Sequence, residues 1–239
     1  MIRKEQQALY ARFKIVGVAL IAAGLMFAGV GGYTYLKTQE GAASLQAFSA
    51  AQDVTLSYND QGQLTDRGET AGAESIMALL TDDWGYAVNA AELDPADPVV
   101  NTASEYMYQM ATIAYHTLNG TQTVVLDEPV EYKGETFAAG TYEVPVDGRY
   151  WSDFDRQHPL DGKVREQAWT GTAHALIANL GVGSVTASAL QIGLGVAAIA
   201  AALGAVLILA GLGIVWAARP VAETAAETAA RRATVPASL

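Results

Sequence analysis

The sequence predicts a membrane α-helical protein, with two transmembrane helices and an α+β extracytoplasmic domain between them. Three observations carry this class. The 239-residue chain holds no Asp, Glu, Lys or Arg between Glu166 and Arg219. Within that stretch residues 185–216 are almost all Val, Ile, Leu, Ala and Gly, and crossing a bilayer takes about 20 such residues at about 1.5 Å each. A second apolar run, residues 15–36, lies near the other end and leaves a long polar middle.

Charge sets the expected orientation. The net charge of −11 divides sharply: residues 1–14 carry +3, the tail carries +1, and the middle holds 22 acidic against 7 basic residues. Basic residues beside a span mark the cytoplasmic side, whereas long loops cross largely regardless of charge. A cell-membrane location is expected, with both termini cytoplasmic and the acidic middle outside. Tyr33, Tyr35 and Trp216 suit interfacial aromatic belts. No small-x-small site follows residues 15–36 directly, so the first run is expected to stay as an uncleaved anchor.

The elements follow in order. Residues 1–14 form a cytoplasmic N-terminus and 15–36 the first transmembrane helix. The extracytoplasmic α+β domain takes 37–168. Inside it, residues 38–52 are good helix formers, 54–58 alternate like a short strand, and Asn59-Asp60-Gln61-Gly62 is a turn signal. Residues 68–80 read as a short amphipathic helix, and the two prolines of 91–98 mark a loop. Helical spacing of Val100, Tyr106 or Met107, Met110, Ile113, Ala114 and Leu118 predicts a helix over 99–119, closed at Asn119-Gly120. Residues 121–146 predict two or three antiparallel strands, with turns at Lys133-Gly134 and Ala139-Gly140. A polar aromatic loop fills 147–162, and the helical pattern of 163–180 follows it. Residues 169–184 are expected to be an interfacial helix and a hinge, broken at Gly181-Val182-Gly183-Ser184. The second transmembrane helix is 185–216 and the cytoplasmic tail 217–239.

Composition excludes several functions. Cysteine is absent, which removes disulfides, thiolate metal sites and thiol nucleophiles. An acidic exterior lacks the basic footprint that nucleic acid needs. Neither apolar run carries Asp, Glu, Lys, Arg or His, the residues that mark ion paths and transport sites. The runs carry small residues one turn apart instead: Gly24, Ala28 and Gly32 on the first, and Gly193, Ala197, Ala201 and Ala205 on the second. Such rows let helix backbones approach closely in lipid. They are read as a helix-packing interface, between the two helices, with another protein's helices, or both.

Three clusters outside the runs bear on chemistry. Asp153, Asp155 and His158 have the types for acid–base work or cation binding, although loop aspartates are more often capping groups. Met107, Met110 and His116 share a predicted helix, where core packing is the simpler reading. Trp84, Tyr86, Tyr150 and Trp151 stand among acids, as Asp153 and Asp155 do beside Trp151. Those six residues are read as an outer-surface docking patch, against the alternative of a core whose hydroxyls reach the rim.

The segment GRYWSDFDRQHPLDGKVREQAW (148–169), with Tyr150, Trp151, Asp155 and Pro159 leading toward the apolar 186–216, resembles a family of actinobacterial two-span membrane proteins with an exported acidic domain. Some members are labelled aromatic-ring-opening dioxygenases, a label no metal-ligand constellation in this chain supports. The resemblance implies an architecture like that of accessory subunits of membrane oxidoreductases, and no catalytic residues. The expected function is thus a non-catalytic accessory subunit of a multi-subunit integral membrane complex. The expected partners are other integral membrane subunits and the lipid bilayer, with no nucleic acid, and no cofactor or metal is expected. An oxidoreductase, either a respiratory oxidase supercomplex or a copper membrane monooxygenase, is the expected complex. A free-standing envelope binding module for a sugar or peptide is one alternative, and a metal-dependent hydrolase is another.

Overall fold

A computed structural model describes residues 2–218, with the side chains from Glu5 onward. All of the expected tail beyond Ala218 lies outside the described residues, as do the side chains of Arg3 and Lys4. Two helices dominate, α1 (Ile2–Gln52) and α5 (Gly171–Ala217), and both are long and apolar enough to cross a membrane. The chain divides into two compact units. Among the described residues, one comprises 2–38 with 193–218, and the other comprises Gln39–Ile192.

The helices outrun the apolar runs that predict them. The expected hinge at 181–184 is corrected by the structure, because α5 passes through it unbroken. A helical glycine costs about 1 kcal/mol relative to alanine, yet a packed neighbour can offset that. A Cβ built on Gly183 would lie 2.6 Å from the Tyr106 ring, so the bare backbone admits the aromatic face. The helical pattern expected over 163–180 is instead cut at Trp169-Thr170, between α4 (Asp161–Ala168) and α5.

In the first unit α1 and α5 pack antiparallel along every seventh residue. Gly17 meets Gly211, Gly24 meets Gly204, and Gly31 meets Ala197. A strict repeat of seven keeps one seam in contact when helices wind left-handedly around each other. Ile21, Ile208 and Val215 are half-buried and flank this seam, whereas Val16, Leu25, Met26, Leu203 and Leu209 point away from it and are exposed.

The second unit is α+β around two neighbouring cores. The short pair β1 (Ser57–Tyr58) and β2 (Leu64–Thr65) stands where sequence expects a longer strand over 54–58. Helix α2 (Thr70–Ala78) continues as a π-helical turn, Leu79–Asp83. Helix α3 (Ala103–Leu118) begins in a capping box, with Thr102 bonding the Glu105 N–H and the Glu105 carboxylate returning to the Thr102 N–H. One core gathers Leu56, Ile76, Leu80, Val100 and Ala111. Complete burial of Ile76 and Leu80 contributes about 1.5–3 kcal/mol each.

Four strands stand where two or three are expected. β3 (Thr121–Leu126) pairs antiparallel with β6 (Gly140–Pro145), and a smaller hairpin, β4 (Val130–Tyr132) with β5 (Glu135–Phe137), is inserted between them. Lys133 and Gly134, with φ of 48° and 85°, make its two-residue turn, where positive φ at both positions matches the strand twist. The inward residues Val124 and Leu126 join Val146, Phe154, Val164 and Trp169 in the second core. Gly120 follows α3 without a left-handed cap. Its glycine answers to space, since a Cβ would approach the His116 carbonyl to 3.1 Å.

Candidate functional site

Of the small residues singled out in sequence, some lie on the seam and some do not. Gly24 is buried there, and a Cβ on it would stand 2.7 Å from the Gly204 carbonyl oxygen. Ala28 is half-buried beside Gly204, and Ala197 is buried. A Cβ on Gly193 would meet the Thr38 hydroxyl at 2.6 Å, and one on Gly31 would meet the Ala201 backbone N at 2.8 Å. Gly32 faces open space and Ala205 is exposed. Gly17, Gly31, Gly204 and Gly211 complete the seam and were not singled out. Their signal is the seven-residue repeat, which a search at four-residue spacing passes over.

The aromatic-acidic segment after β6 forms a strap held largely by its own side chains. The Trp84 indole donates to the Tyr150 hydroxyl at 2.9 Å. The Tyr150 ring stacks on Trp169, with centroids 5.6 Å apart and planes 24° from parallel. The Trp169 indole donates in turn to the Arg149 carbonyl at 3.0 Å. Arg149 covers Phe154 and pairs with Asp161 at 2.9 Å. Trp151 lies 3.1 Å from the Arg165 guanidinium carbon and meets the edge of His174. Tyr86 is separate and packs against the first core.

The carboxylates of the strap point to different partners. Asp153 accepts from the Tyr150 N–H at 2.8 Å, closing a turn. Asp155 accepts from the Tyr132 hydroxyl, the Gln157 N–H and the Lys133 ammonium, which tie the strap to the β4–β5 hairpin. The Tyr132 hydrogen bond first, then those from Gln157 and Lys133, hold the Asp155 carboxyl down at about 2. His158 Nδ1 accepts from the Leu160 and Asp161 N–H groups, both at 3.2 Å, at the start of α4. The imidazole edge meets Tyr132 and Phe137. Asp153, Asp155 and His158 thus each have a bonding task of their own. Among the described residues no three His, Asp or Glu side chains converge as a metal site.

The other candidates are placed as follows. His116 bonds Asp66 at 2.9 Å. Met107 packs on the first core. Sequence reading also passed over two buried or half-buried glutamates. Glu105 is almost wholly buried and accepts from Asn101, Thr102 N–H and the Thr102 hydroxyl; burial outweighs these bonds and pushes its carboxyl up. Glu92 is also burdened by burial, yet its bonds from Ser104, Gln191 and Asn89 prevail and hold its carboxyl down. Gln191 reaches Glu92 at 2.7 Å and thereby fastens α5 to the loop before α3.

No protein-family model matches this chain, and neither a curated protein nor a solved structure matches it.

Proposed function

We propose that the protein is a non-catalytic accessory subunit of an integral membrane complex, anchored by α1 and α5. One observation carries this reading. The helices meet along a narrow seam of Gly and Ala flanked by Ile21, Ile208 and Val215, and leave their broad sides apolar: Met26 is 73% exposed, Ile199 71% and Leu209 69%. Apolar surface of this extent requires lipid or other helices to cover it. The basic residues of 1–14 favour cytoplasmic termini and an external acidic domain.

The strap's side chains support the non-catalytic part, since its acids and histidine are engaged in turns, caps and the hairpin tie. An oxidoreductase is the partner class in this proposal, either a respiratory oxidase supercomplex or a copper membrane monooxygenase. An acidic outer domain there would attract a basic electron carrier or shape access to the partner. Mild-detergent purification of the tagged protein from its native membrane, followed by mass spectrometry, tests this. Stoichiometric co-migration with catalytic membrane subunits is expected; a lone species would refute it.

A further inference from the structure

A cleft of about 670 Å³ opens in the second unit, walled by the Leu45–Gln52 turns of α1, by α3, and by the Leu176–Thr186 turns of α5. Its volume lies within the range of about 300–1,000 Å³ that small-molecule sites occupy. No residue lining it is charged. Its walls are chiefly aliphatic, and Phe48, Leu176 and Val182 at its lining are 61%, 46% and 66% exposed. A rim of that kind offers an apolar entrance.

The polar groups in the cleft are few and specific. Ser49 and Tyr106, both buried, share a hydrogen bond of 2.6 Å. The Ser49 hydroxyl also donates to the Leu45 carbonyl at 3.0 Å. One hydroxyl has one proton, so with the Ser49 proton on the Leu45 carbonyl Tyr106 donates to Ser49 and its oxygen keeps its acceptor capacity. Gln109 and Asn179 add carboxamides, each with two N–H donors and a carbonyl acceptor. Neutral donors and acceptors thus sit beside a long apolar wall. A carboxylate or phosphate would be desolvated here without a cation to pair with, which is costly.

From these features we infer that the cleft holds one acyl chain of an uncharged lipid, with its ester or hydroxyl groups against Gln109, Asn179 and Tyr106. One further observation favours a lipid over other apolar molecules. The α1 and α5 walls belong to the two helices that are apolar enough to cross a bilayer, so an acyl chain is the abundant apolar ligand for such a chain. The inference rests on the membrane anchoring proposed above for the source of the lipid, and not on the identity of any partner subunit.

The test uses the full chain in phosphatidylcholine nanodiscs with a monooleoylglycerol carrying a photoactivatable diazirine in its acyl chain. Labelled peptides are mapped by mass spectrometry. Labelling is expected to concentrate on 45–52, 109–113 and 176–186, beyond that of the outward faces of 15–36. Unlabelled monooleoylglycerol should compete about tenfold better than oleate, a difference of about 1.4 kcal/mol. Ile113→Phe and Thr186→Phe, which fill the cleft, should each reduce cleft labelling and leave labelling of 15–36 unchanged. Even label over all apolar segments would overturn the inference, as would equal competition by oleate. The mapping on the unaltered chain stands even where a filling variant folds poorly. A benzoylphenylalanine at Gln109 that captures a polypeptide in native membranes, in place of lipid, would also overturn it. Loss of co-migrating subunits bears on the accessory role and leaves this readout untouched.

Discussion

Gly24 and Gly204 face each other so closely that a methyl group on either would lie 2.7 Å from the other's carbonyl oxygen. The distance is below any ordinary carbon–oxygen contact, so the seam accepts hydrogen alone at both positions. Seven residues away in opposite directions, Gly17 and Gly211 repeat the arrangement, with a Gly211 Cβ only 2.5 Å from the Gly17 oxygen.

Substitution on this seam should therefore force the helices apart. Gly24→Val or Gly211→Val is expected to cost about 1–3 kcal/mol or more through overpacking. Gly32→Ala, in open space, should be neutral or mildly stabilising. The chain has no native cysteine, so spin labels can be placed without background. Pulsed electron resonance between labels on exposed positions near Gly24 and Gly204 should show longer, broader distances in the valine variants and no change in Gly32→Ala.

At the start of α3, Glu105→Ala would leave two N–H groups and the Thr102 hydroxyl without their acceptor in a buried setting. A loss of about 1–3 kcal/mol is expected. Because burial raises this carboxyl above its ordinary value, the group favours folding more as pH falls through the raised value, with the ionised form penalised above it. Denaturant unfolding of the unaltered chain and the variant at two pH values checks both the size and the sign.

The hairpin tie should respond to acid in the opposite sense. Asp155 is depressed to about 2, so its contribution is full above the ordinary carboxylate range near 4 and is lost as pH falls toward about 2. Asp155→Asn should remove that part of the acid sensitivity. Equal acid dependence in the two proteins would show the tie to be inert. The site is exposed to solvent, and a small, salt-sensitive effect is expected.

Trp169 joins the strap to the second core, and its replacement separates packing from hydrogen bonding. Trp169→Phe keeps a ring against Tyr150 but loses the bond to the Arg149 carbonyl, for about 0.5–1.5 kcal/mol. Trp169→Ala removes a buried ring and should cost about 3–5 kcal/mol. Near-ultraviolet circular dichroism during thermal unfolding would report the order of the two variants.

Much of the fold is legible because it rests on local patterns. The charge-free stretch before Arg219 marks α5, the spacing from Val100 to Leu118 marks α3, and Lys133-Gly134 marks the inner hairpin. What escaped depends on partners distant in sequence. Gly183 looks like a helix breaker until Tyr106 fills the space its missing side chain leaves. Gly31 and Gly32 are indistinguishable in composition, and only the position of Ala201 decides which is buried. In the strap, Asp153 and Asp155 look alike in sequence, whereas one closes its own turn and the other reaches a hairpin more than twenty residues earlier. The tasks of these acids could not be read without that pairing.

The most direct test of the accessory role places a photo-crosslinking amino acid at outward positions of the helix pair, Leu25, Met26, Ile199 and Leu209, in the native membrane. The account expects a discrete adduct with one integral membrane subunit from at least one of the two helices, reproducible in mass and identity. Protein adducts absent from all four positions, with only lipid captured, would contradict it.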